Sequence, residues 1–165
     1  MIVLGDSELN YYGNERDEAR KSFVNSFPFT TFCIHGNHEM CPADLFAYKT
    51  REYCGGTVWY EDEYPNILLA KDGEIYIFDG YSCIAIGGAY SVDKFYHLGR
   101  GWAWFSNEQP SEEIKSYAKQ RLQNRGNKID VVLSHTSPVK YEPTEVFIQR
   151  LDQSTIDKST EEWLG

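Results

Sequence analysis

Three apolar runs in this chain each break off at a residue able to hold a metal ion or move a proton. "IVLGD" stops at Asp6, "TTFCIHGN" at Asn37 and "VVLSH" at His135. Short runs rich in β-forming residues read as buried strands. In sheets that alternate with helices, ligand sites gather outside the carboxyl ends of the strands. One carboxylate, one amide oxygen and one imidazole are therefore expected to converge. Such donors suit a divalent first-row metal such as manganese, iron or zinc. A calcium site would ask for more carboxylates.

The segments between these runs support an α/β reading. "NERDEARKSFVNSF" has Asn14 as a cap and acidic residues in its first turn. Ala19, Phe23 and Phe27 recur at i, i+4 and i+8, which predicts an apolar helix face there. "CPADLFAYK" reads as a short helix with proline near its first turn. From Thr57 to Gly88 the character changes to short strands parted by Asp-Gly and other glycine turns, as antiparallel neighbours require. "AYSVDKFYHLGRGWAWFSNEQP" reads as a long irregular loop, a kind of segment that is usually functional or mobile. "SEEIKSYAKQRLQNRG" predicts a helix capped by Ser111, with Ile114, Tyr117, Ala118 and Leu122 on one face and Gly126 closing it. Near the end, Ser159 and Glu162 have capping-box spacing, although a one-turn helix has little reason to form alone.

Length and charge narrow the possibilities. The chain has 165 residues, which predicts a single domain over 1–165 with a sizeable core. Its net charge of -9 disfavours binding to long nucleic acid through phosphate neutralisation. Aromatic residues make up 15% of the chain, so many rings should be half-exposed or line a cleft. Cys33, Cys41, Cys54 and Cys83 lack C-x-x-C spacing and read as free thiols of a reducing compartment. With no signal-peptide pattern and no apolar run near the about 18 residues of a membrane span, a cytoplasmic location is expected.

Other candidates carry plainer readings. Alternation sends His35 to the other side of the strand's end, in a structural role. His97 reads as a solvated loop histidine. Arg100 could grip a substrate phosphate bidentately or make a surface ion pair. Trp102 and Trp104 read as packing residues.

"GDSELNY", "GNHE" and "SHTSP", in this order, resemble the motifs of the metallophosphatases, the calcineurin-like phosphoesterase superfamily. "GGAYSVDK" and "WFSNEQPSEEI" extend the likeness over essentially the whole chain, closest to small bacterial and phage-type members. The resemblance implies a two-sheet α/β/β/α sandwich and a dinuclear metal centre. Asp6 matches the carboxylate that bridges both metals, and Asn37 and His135 match ligands of the second. His38 matches the histidine that contacts the phosphate and protonates the leaving group, with Glu39 placed to orient it. The implied reaction is hydrolysis of a phosphate ester, mono- or diester, by a metal-bound hydroxide, on a phosphorylated small molecule.

The likeness is incomplete. The family's D-x-H motif would precede "GD" and its G-H-x-H motif would follow "SHT", and this sequence holds neither. That predicts a sandwich shortened at both ends. It also leaves an alternative, a non-catalytic domain that binds metal or a partner without turnover.

Overall fold

The computed structural model describes residues 1–146 and 154–165. Its strands form two sheets. β1 (Ile2–Leu4), β2 (Thr31–Ile34), β3 (Lys49–Tyr53), β4 (Gly56–Tyr60) and β5 (Ile67–Ala70) form one, in the order β1-β2-β5-β4-β3. β6 (Ile75–Phe78), β7 (Tyr81–Ile86) and β8 (Val131–Ser134) form the other, in that order. β1, β2 and β5 run parallel, and β8 runs parallel to β7; the remaining pairs are antiparallel. The hairpin region expected between Thr57 and Gly88 thus supplies strands to both sheets.

Alternation along β2 explains the layering. Phe32 and Ile34 join Val58, Leu68 and Ala70 on one face and meet Tyr76 and Ala85 of the second sheet. Cys33, between them, points the opposite way with Ile67 and Leu69, toward Leu9, Tyr48 and helix α1 (Glu15–Asn25). On the far face of the second sheet, Ile75, Ile84 and Ile86 pack on Ala118 and Leu122 of helix α3 (Glu112–Gln123) and on Trp163 and Leu164 of helix α4 (Ser159–Leu164). Helix, sheet, sheet and helix therefore stack as the expected sandwich. β2 and β5 are buried at every position because both of their faces are covered.

Several local expectations are corrected. β1 and β8 are half-exposed rather than buried, since each is the edge strand of its sheet: Leu4 is 48% and Val132 50% exposed. The α1 face that docks carries Asp17 and Lys21, not Ala19 and Phe23. Lys21 pairs with Glu61 at 2.6 Å and lies over the rings of Tyr48 and Tyr64, so its aliphatic stem does the packing. Phe23 instead meets Phe27 on the surface, with ring centroids 5.1 Å apart. "CPADLFAYK" forms only a 3-10 turn, Pro42–Asp44, before β3 begins. The segment expected to be irregular contains helix α2 (Lys94–Arg100), closed by the left-handed Gly101. α4 does form, because Trp163 and Leu164 bury it against the second sheet. Its N-cap is Lys158, not Ser159; the Asp157 carboxylate accepts from the Ser159 N–H instead. Asn14 and Ser111 cap their helices as the sequence predicts.

Candidate metal and phosphoester site

β1, β2 and β8 end close together, and two glycines make this possible. After Leu4 the chain leaves the strand with Gly5 at φ +95° and Asp6 at φ +50°, a left-handed pair. A Cβ on Gly5 would collide with the His135 ring, and one on Gly36 would collide with the backbone and carboxylate of Asp6. Only bare backbone lets the three strand ends approach this closely.

The three expected ligands meet there. His135 Nε2 lies 2.6 Å from Asn37 Oδ1 and 3.6 Å from Asp6 Oδ1. Each is held from behind. His135 Nδ1 is 2.8 Å from the Leu4 carbonyl, an acceptor only, so Nδ1 carries the proton. Asn37 Nδ2 donates to Ser91 Oγ at 2.8 Å, which aims Oδ1 at His135. Asp6 Oδ1 accepts from the His38 backbone N–H at 3.1 Å. With Nδ1 protonated, Nε2 of the neutral ring presents a lone pair to two oxygens that also present lone pairs. Either a proton or a cation must sit among them. One carboxylate oxygen, one amide oxygen and one imidazole nitrogen fit a divalent transition-metal ion.

Glu39 has a different task from the one expected. It is fully buried, and its carboxylate accepts from the Gly36 N–H at 2.9 Å and the Ser7 hydroxyl at 2.6 Å. It therefore clamps the loop carrying Asp6 to the loop carrying Asn37, rather than bonding to His38. Burial, and then the Glu39 charge, push the nearby Cys33 thiol up to about 12. His35 is buried, with Nε2 3.2 Å from the Glu39 carbonyl. Its own carbonyl accepts from Gly88 N–H at 2.7 Å, tying the β2 end to the second sheet.

His38 points into a cleft of about 690 Å³, which Asp6, Tyr11, Tyr12, Arg16, His97 and Trp102 help to line. His97 is not a solvated loop residue. It lies on α2 with its side chain 12% exposed, and its ring centroid is 4.9 Å from that of His38. Asp93 lies between them, 3.6 Å from His38 Nε2 and 3.1 Å from His97 Nε2. The Tyr11 hydroxyl is pushed above its ordinary range by burial and then by the negative field of Tyr12, Asp93 and Glu8. Arg100 is exposed, with its guanidinium over the Tyr96 ring, outside the cleft lining. Arg16 is the arginine on the cleft wall, and it lies over Tyr12. Sequence reasoning missed Arg16, Ser91 and the partnership of Asp93 with His97. The i, i+4 spacing of the last pair was a usable signal once the segment was known to be helical.

The family model of calcineurin-like phosphoesterases matches residues 1–157. The chain belongs to that family. Its members act on phosphoester substrates and depend on divalent metal ions. No curated protein and no solved structure matches the chain at a significant level. Among the described residues, no helix is long and apolar enough to cross a membrane.

Proposed function

We propose that this phosphoesterase-family chain hydrolyses a small phosphate ester in the cleft beside Asp6. The observation that carries the reading is the meeting of three lone-pair donors at the strand ends, Asp6 Oδ1, Asn37 Oδ1 and His135 Nε2, with His38 beside them on the cleft wall. Asp6, Asn37 and His135 would hold a divalent cation, manganese in our reading, which when bound activates water and polarises the phosphoryl oxygen. The chain's own groups do the rest. Ser91 and the Leu4 carbonyl fix the orientations of Asn37 and His135. His38, on the cleft wall, delivers a proton from Nε2 to the leaving oxygen, as a general acid. Arg16 gives the phosphate a positive neighbour on the cleft wall.

The cleft is of small-molecule size. Tyr11, Tyr12 and Trp102 give it aromatic walls, which favour a leaving group with an apolar or aromatic body. The net charge of -9 works against long nucleic acid. The four cysteines are all free, which fits a reducing cytoplasm.

A second reading, metal binding without turnover, is favoured by one specific feature. The chain has four histidines, and none lies in a D-x-H or G-H-x-H motif. One experiment decides between them. Hydrolysis of an aryl phosphate is measured with manganese supplied, in the native chain and in Asp6→Asn. Turnover that falls by roughly 100-fold in the variant is expected, since even residues that only orient ligands cost about 10–100-fold. No turnover in the native chain leaves the binding reading standing and sinks the enzyme reading.

A further inference from the structure

Beside the strand-end triad lies a second group of metal-type donors. His38, Asp93 and His97 each offer one ligand atom, and the three atoms lie within 4.8 Å of one another. We propose that His38, Asp93 and His97 form a separate divalent-cation site of the zinc type, on the wall of the cleft and distinct from the Asp6–Asn37–His135 centre.

Three observations carry this. Asp93 occupies the N-cap position of α2 yet makes no capping hydrogen bond with its side chain. An aspartate there ordinarily caps the helix; this one turns its carboxylate to the two imidazoles. Second, Asp93 Oδ1 is shielded from solvent and makes no hydrogen bond. A buried carboxylate oxygen without a donor is costly unless a cation is near. Third, the His97 ring is preset as a ligand. Nδ1 lies 3.0 Å from the Ala103 carbonyl, which fixes the proton on that nitrogen and leaves the Nε2 lone pair facing Asp93. A backbone carbonyl behind a histidine is the usual arrangement in metal centres.

Two imidazole nitrogens and one carboxylate oxygen, with the cleft leaving a position open, make up the donor set of zinc. Spacings of 3.1 and 3.6 Å between Asp93 and the imidazole nitrogens suit ligands sharing one ion with bonds of about 2.0–2.2 Å. The site does not depend on the phosphoester reading. It does intersect with it, because His38 Nε2 cannot hold a cation and carry a proton at once. A cation on this cluster therefore opposes the role of His38 as an acid, and zinc should inhibit turnover supported by manganese.

The test uses the full chain freed of metal, with His135→Ala introduced to disable the strand-end centre. Zinc retention after dialysis and the visible absorption of bound cobalt(II) are both read. His135→Ala is expected to keep about one equivalent of zinc and to show the cobalt band. Adding His97→Gln should weaken zinc binding about 10-fold or more and remove the band. Adding Asp93→Asn should do the same, and it serves as the probe if the His97 variant loses its far-ultraviolet circular dichroism. If His135→Ala binds no metal while the native chain does, all the metal belongs to the strand ends and the proposal fails. It fails equally if the folded double variants bind zinc as tightly as His135→Ala. If the binding pattern is as expected but the native chain hydrolyses no ester, the cluster site stands and the phosphoesterase reading falls.

Discussion

The Asp6–Asn37–His135 group and the His38–Asp93–His97 group face the same corner of the molecule but are built differently. The first is assembled from the ends of three strands in two sheets, each side chain backed by a carbonyl, a hydroxyl or a backbone N–H. The second takes His97 from one short helix, α2, Asp93 from the N-cap just before it, and His38 from the turn after β2. Strand ends are fixed by the core beneath them. A seven-residue helix with no buried residues is fixed mainly by what it touches. The difference teaches that a rigid centre and an adaptable one can share a cleft, each limited by its support.

Substitutions can break or sharpen this contrast. The largest effect is expected from Glu39→Ala, which strips the clamp from beneath both groups. Two hydrogen bonds to a buried carboxylate are lost, and a loss of about 3 kcal/mol or more in denaturant unfolding is expected. Next comes Gly5→Ala. Its left-handed backbone alone costs about 1–3 kcal/mol, and its Cβ displaces His135. Turnover with manganese should collapse, while cobalt binding at the α2 cluster survives. If both signals vanish together, the two groups are one unit and the contrast is lost.

Ser91→Ala is a milder probe. It frees the Asn37 amide to rotate, and metal affinity at the strand ends should weaken about 10-fold by calorimetric titration. The smallest effect is expected far from both groups. Asp130 accepts from the Ser82 N–H at 2.8 Å and its hydroxyl at 2.6 Å, and these bonds hold its carboxyl below the ordinary range. A depressed carboxyl stabilises the fold above its unfolded value, and that contribution is lost as pH falls through the folded one. Asp130→Asn should therefore lower the melting temperature slightly at pH 7. The gap should begin to narrow below about pH 4 and close as pH falls on through the depressed folded value, with metal binding at both groups unchanged at neutral pH.

The strand-end group was legible in the sequence because its members sit at the ends of apolar runs, where period and composition speak clearly. The two-sheet layering was legible through the resemblance of the "GD", "GNHE" and "SHT" motifs to those of the metallophosphatases; the residues alone gave only the change to antiparallel strands after Thr57. Phe23 misled because apolar periodicity on a helix does not say which stripe docks; Lys21 and Asp17 won through pairing and through a buried stem. β1 and β8 looked like interior strands because edge strands can be just as apolar, and position in the sheet is not written in composition. His97 was hidden by the segment's glycines and aromatics, which masked a helix and its i, i+4 pair. Glu39 follows His38 directly, but the turn sends its carboxylate inward to Gly36 and Ser7.

The hydrogen bond between His135 and the Leu4 carbonyl joins residues 131 positions apart, and the close approach of His135 to Asn37 spans 98. Contacts at such separations carry the largest loop-closure cost and form only after the intervening structure has collapsed. The strand-end corner is thus a marker of completed folding. A cation that needs all three groups at once distinguishes the finished chain from every partly folded one. The moment at which it binds during refolding would time the docking of the two sheets.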